Sequence, residues 1–266
     1  MRRRHILQAG LALPLLRWAG AGAQAPERNL SAAERKAAPG AAASVSLLRA
    51  PRRALVIGNS AYPAPTNLPH AANDARAIAK ALRDLGFEVI EGIDLDHAGM
   101  TRNLRSFLLK ASSARIALMF YAGFAVQVRG ENYLVPTDGT SFSERTADLA
   151  LINVDKQVLD GLNDDTRANI VMIDSGALGA PSTGGSLVVF AADLNHNSAD
   201  GQGPHSPFAT ALLQYIADPN LELVAMLRRV QGAVRTATGG AQNPYVSLPP
   251  FGDVYLARDP RRASAN

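Results

Sequence analysis

The sequence predicts an α/β domain, a three-layer α/β/α sandwich around a mainly parallel central sheet. Three observations predict it. From residue 52 onward, short apolar runs alternate with helical patterns, and strands joined by helices of about 10–15 residues pair in parallel. The runs are continuously apolar, as in strands covered on both faces. The series runs once, without internal repeat, so a single domain over residues 51–258 accounts for it.

The elements follow in order. Ala54–Gly58 is apolar and β-branched and stops at Gly58-Asn59, a buried strand. Ala71, Ala75, Ile78, Leu82 and Leu85 recur at three- and four-residue spacing, an amphipathic helix closed by Gly86. Phe87–Glu91 is the second strand, and Met100, Leu104, Phe107 and Leu108 mark the second helix. Ile116–Tyr121, Asn169–Ile173 and Ser186–Ala191 are three further strands. Two helices close the pattern, Ser206–Ile216 and Leu221–Thr236, the latter with Leu223, Leu227, Val230 and Val234 on one face.

Composition excludes several classes. A chain of 266 residues, 47% hydrophobic and 19% charged, is neither a disordered tail nor a fibre. It has no cysteine, which excludes disulfides, thiolate metal sites and a cysteine nucleophile. The net charge of +4 comes from Arg2, Arg3, Arg4 and Arg17, all within the first 23 residues, which hold no acid. The remainder is neutral and carries no nucleic-acid footprint.

That basic start is followed by an apolar stretch from Ile6 to Leu16 and small residues through Ala25. The order is that of a secretory signal, so residues 1–25 are expected to be an export signal that is then removed. The stretch contains Pro14 and is shorter than the ~20 residues of a membrane span, so no stable span is expected after removal. Arg3-Arg4-His5-Ile6-Leu7-Gln8 is similar to a twin-arginine signal. In a bacterial cell the chain would then be periplasmic or secreted. Residues 26–50, rich in Ala and Ser with Pro26 and Pro39, read as a flexible linker, and residues 259–266 as a disordered tail.

In open parallel sheets, ligands sit beyond the carboxyl ends of the strands. Three such ends are Gly58-Asn59, Tyr121-Ala122-Gly123 and Asp174-Ser175-Gly176. Arg53–Tyr62, Asn73-Asp74-Ala75 with Leu85-Gly86-Phe87, Tyr121-Ala122-Gly123, Asn132–Asp138, Ser206-Pro207-Phe208 and Met226–Val230 stand in one order along the chain. Over residues 52–257 this order resembles the caspase-like peptidase family, in its bacterial metacaspase-like, or orthocaspase, branch. The resemblance implies the caspase-like fold and cleavage of peptide bonds by a cysteine–histidine dyad.

This sequence departs from the family at the dyad. Active members read Tyr-Ala-Gly-His-Gly after the third strand and Asp-Ala-Cys-Arg after the fourth. Here the segments are Tyr121-Ala122-Gly123-Phe124-Ala125 and Asp174-Ser175-Gly176-Ala177, so Phe124 takes the histidine position and Gly176 the cysteine position. The mechanism needs a thiolate and an imidazole to shuttle its proton. Phenylalanine does not titrate and glycine has no side chain. Losing an activated nucleophile removes on the order of a millionfold in rate, so the sequence predicts a pseudoenzyme without catalytic residues.

Other parts of the site persist. The family builds its oxyanion hole from backbone N–H groups at positions matching Ala125 and Gly176. Two acids matching Asp74 and Asp174 select Arg or Lys in the branch, and Ser206, at the start of the late helix, belongs to the same substrate-binding set. Paired carboxylates favour a cationic guest, above all a guanidinium. The alternative is structural: Asp74 caps a helix and Asp174 satisfies nearby N–H groups. The resemblance brings no cofactor except calcium, to which some members respond. The acids Asp164, Asp165, Asp193 and Asp200 lack the ligand spacing of a calcium loop, so no metal site is expected.

Ser175 is the alternative nucleophile, but neighbours on an extended segment point to opposite sides. His70, His97, His196 and His205 read as solvated loop histidines, with His205 the first to inspect as a base. Arg228-Arg229 is the exposed face of the last helix. The expected partners are thus basic peptides or an active caspase-like homologue. The competing reading is a peptidase that cuts after Arg or Lys through a non-cysteine nucleophile.

Overall fold

The computed structural model describes residues 51–257 apart from 64–67, 163–167, 177, 182–184, 197, 199–200, 202 and 249–251. The export signal, the linker, the tail and the acids Asp164, Asp165 and Asp200 lie outside the described residues. Among the described residues no helix is long and apolar enough to cross a membrane.

The apolar runs form the central sheet: β1 (Arg52–Gly58), β2 (Glu88–Ile93), β3 (Ile116–Ala122), β7 (Ala168–Asp174) and β8 (Leu187–Phe190), with β9 (Tyr245–Ser247) at one edge. The spatial order is β2-β1-β3-β7-β8-β9, parallel throughout except for antiparallel β9. All seven residues of β3 are buried, which only a strand covered on both faces achieves.

Alternation along β1 divides the interior into two layers. Ala54 and Val56 face a core with α1 (Ala71–Asp84), α4 (Pro207–Tyr215) and α5 (Leu223–Ala237). Leu55 and Ile57 face the opposite core, formed by α2 (His97–Ala111) and the helical turns Val154–Leu159 and Asp160–Leu162. Burying such a side chain contributes roughly 1.5–3 kcal/mol. The helices end where their residues dictate. Asp96 caps α2 by accepting from the Gly99 N–H at 2.6 Å, and α1 gives way to Gly86 at φ 82°.

Several short elements were not read from the sequence. A second sheet of β4 (Ala125–Val128), β5 (Glu131–Leu134) and β6 (Ile152–Asn153) branches off after β3, with the short helix α3 (Ala147–Ala150) before β6. Strand β9 follows α5, so helices do not close the fold as expected. These pieces span two to four residues each, too short to carry a readable period.

Candidate functional site

The chain runs from β1 to β2 on one side and then returns to β3 on the other. Such a reversal leaves a crevice at the carboxyl ends of the strands. A cleft of about 290 Å³ lies at this end of the sheet. Asp74 and His70 reach it from the start of α1, Phe124 and Ala125 from the β3–β4 junction, and Asp174, Ser175 and Gly176 from the end of β7. Ser206, ahead of α4, completes it. All six residues singled out from the sequence as dyad, oxyanion or substrate positions therefore border one space.

The acidic side is buried and internally bonded. Asp74 is 1% and Asp174 7% exposed. Asp74 Oδ1 accepts from His205 Nδ1 at 2.7 Å, and Oδ2 from the Ser206 N–H at 3.2 Å. The Ser206 hydroxyl donates to Asp174 Oδ2 at 2.5 Å while accepting from the Ala209 N–H, which caps α4. Burial pushes the Asp74 carboxyl above its ordinary value, although the bonds from His205 and Ser206 pull the other way. The carboxylate therefore keeps a shortage of solvation that a cationic guest would relieve.

Two sequence expectations change here. Asp74 does not cap α1: it lies within the first turn, and its carboxylate turns to His205 and Ser206. His205 is not a solvated loop histidine, because its ring is held on Asp74 with 26% of the side chain exposed. A residue separation of 131 hides this contact from any local spacing rule. His196 is exposed, as expected. Ser175 borders the cleft despite strand alternation, since β7 ends at Asp174. Among the described residues no base is within hydrogen-bond reach of its hydroxyl.

The opposite side is apolar. Phe124 packs on Tyr62 with ring centroids 4.6 Å apart and joins a small core with Val128, Tyr133 and Val135. Its backbone is pinned as well. The Phe124 N–H donates to the Tyr62 hydroxyl at 3.0 Å, that hydroxyl donates to Val135 O at 2.9 Å, and the Tyr121 hydroxyl donates to Phe124 O at 2.8 Å. Burial raises the pKa of both phenols, that of Tyr121 well above its ordinary value. They act as fixed neutral donors. Gly123 is required by close approach, because a Cβ there would meet the Tyr121 hydroxyl at 2.5 Å.

The loop after Gly176 is tied to the second sheet. Buried Asn132 on β5 accepts from the Gly179 N–H at 2.9 Å and donates to Gly179 O at 3.0 Å. This is the double bond pattern of a strand partner, made by a side-chain amide. Sequence reading missed Asn132, Tyr62 and Tyr121 as supports, since nothing local marks a side chain whose partner is a distant loop. Among the described residues no three metal-ligating side chains converge. Asp193, weighed as a cation ligand, accepts from Asn243 Nδ2 at 3.0 Å. Arg229 pairs with Asp218 at 3.3 Å on the outer face of α5.

Known proteins agree with this architecture. The family model described as the caspase domain matches residues 51–255. The mouse protein named mucosa-associated lymphoid tissue lymphoma translocation protein 1 homolog is 27% identical over 121 residues, which cover 46% of this chain and 14% of that protein. The human mucosa-associated lymphoid tissue lymphoma translocation protein 1 matches to the same extent. The matched stretch is thus a small part of either relative.

Proposed function

The chain belongs to the caspase domain family, and on that premise we propose that it is a catalytically inactive member that works by binding. The observation that carries this reading is the pair of cleft positions Phe124 and Gly176 in a chain without cysteine. Neither residue can supply a nucleophile or a proton shuttle. The acids Asp74 and Asp174 border the same cleft, which supports an Arg or Lys side chain as the guest. Pairing with an active caspase-like homologue is the second form such a role takes.

Catalysis is tested with fluorogenic Arg and Lys peptides, on the natural protein and on the Phe124→His, Gly176→Cys double variant. No turnover by the first and measurable turnover by the second is the expected result. Restored activity will be partial, because a histidine at 124 must give up the packing on Tyr62. Turnover by the natural protein, with a fluorophosphonate labelling Ser175, overturns the reading in favour of a serine-based peptidase. Partnering is tested by mixed sizing runs with an active relative, where strictly separate elution counts against it.

We further propose that the chain is exported to the periplasm or beyond. The arginine-led apolar segment over residues 1–25 supports this. Fractionation with terminal sequencing of the mature protein tests it, and a cytoplasmic chain that still begins at Met1 overturns it.

A further inference from the structure

The cleft holds two backbone donors that a basic side chain does not use. The Val135 N–H donates to Phe124 O at 2.9 Å, and Ala125 faces Leu134 across the antiparallel ladder. In that register Ala125 and Leu134 form a non-hydrogen-bonded pair, so the Ala125 N–H points away from β5. Ala125 borders the cleft, as does Gly176 at the end of β7. Among the described residues no acceptor takes either N–H. Both residues are half-buried at the edge of the cleft, so the two donors are within reach of an acceptor on a ligand.

Gly176 adds a second consideration. A cysteine side chain there would fill the space beside these donors. Glycine leaves the space empty and neutral. The two donors suit a negative group, and the acids Asp74 and Asp174, which border the same cleft, suit a positive one. A volume of about 290 Å³ is at the small end for ligand pockets and suits one residue. An internal residue offers a neutral carbonyl and must also thread its chain onward. A terminal residue offers a carboxylate, whose hydrogen bonds are roughly twice as strong.

We propose that the cleft captures the C-terminal Arg or Lys of a peptide, its carboxylate on the Ala125 and Gly176 N–H groups and its side chain toward Asp74 and Asp174. This rests on the reading above that the cleft takes basic side chains. The reaction class that supplies such a ligand is endoproteolysis on the carboxyl side of Arg or Lys. The chain would bind products of that cleavage rather than intact substrates.

The test uses the full chain and four labelled peptides in fluorescence polarisation: one ending in Arg as the free acid, its C-terminal amide, the same peptide extended by one Ala, and one ending in Ala. The free acid is expected to bind at least tenfold tighter than the amide or the extended peptide. Gly176→Cys is expected to collapse that acid-to-amide ratio toward one. The ratio is internal to each protein, so it does not depend on the fraction folded. Equal affinity for acid, amide and extended peptide overturns this inference and leaves the basic cleft standing. Failure of every Arg peptide to bind better than the Ala peptide overturns both.

Discussion

Asp74 in the cleft and Glu131 on the second sheet are both acids surrounded by donors, and they are pushed in opposite directions. Glu131 takes Lys156 at 2.8 Å, Asn153 Nδ2 at 2.7 Å and the Tyr133 hydroxyl at 2.9 Å. These contacts, Lys156 foremost and then Tyr133, hold its carboxyl down at about 2. Asp74 has His205 and Ser206, yet its carboxyl is raised because burial outweighs both. Glu131 remains in contact with water, so its partners add to solvation; for Asp74 they only replace part of what was lost. The first acid serves the fold. The second keeps a deficit of solvation beside its own partners, which a cationic group in the cleft would offset.

The largest effect expected from this contrast is on binding. Asp74→Ala with Asp174→Ala should weaken a basic peptide by on the order of 100-fold or more, since each removes a buried charged partner. Calorimetry checks this, and unchanged affinity breaks the contrast, because the buried acids would then have no guest to serve. In the natural protein the same affinity should fall as pH drops through the raised Asp74 value, where the carboxylate becomes neutral.

A smaller effect concerns stability. Asp74→Ala leaves the His205 and Ser206 donors unmatched, at a cost of about 1–3 kcal/mol. The sign with pH follows from the raised value. The unfolded chain releases the Asp74 proton first, so the contribution of this acid to stability declines as pH rises from the usual carboxylate range through its folded value. The penalty of Asp74→Ala should therefore be greatest in acid and smaller at neutral pH. Urea midpoints across pH measure it, and a penalty that grows with pH refutes the assignment.

The smallest effect lies on the second sheet. Glu131 has a lowered value, so its contribution is present above its ordinary carboxylate range and is lost as pH falls through about 2. Glu131→Gln should lower the thermal midpoint modestly at neutral pH, with the two proteins converging near pH 2. Salt should narrow the neutral-pH difference, since the pairs are exposed. A difference that persists in acid would mean that Glu131 contributes by packing and not by charge.

The parts of the molecule legible in the sequence share one physical property, locality. Ala71, Ala75, Ile78 and Leu82 announce α1 because helical period and burial coincide within one element. The run through β3 announces a central strand because it is apolar on both faces. The resemblance lined up Asp74, Phe124, Asp174, Gly176 and Ser206, and the fold brings them to one cleft. The β4–β6 sheet escaped notice because its strands are short and half exposed in places, so neither period nor composition separates them from loop.

The sequence by itself determined the layered α/β architecture and the chemistry that Phe124 and Gly176 cannot perform, since side-chain period and functional-group inventory are properties of the chain. Tertiary structure alone decided that His205 rests on Asp74, that two tyrosines pin Phe124, that Asn132 holds the Gly179 loop and that the Ala125 N–H faces away from its neighbouring strand. Each of these depends on a contact between segments far apart in the chain or on strand register. Such contacts arise only when both cores close and loss of water decides which polar groups must find one another.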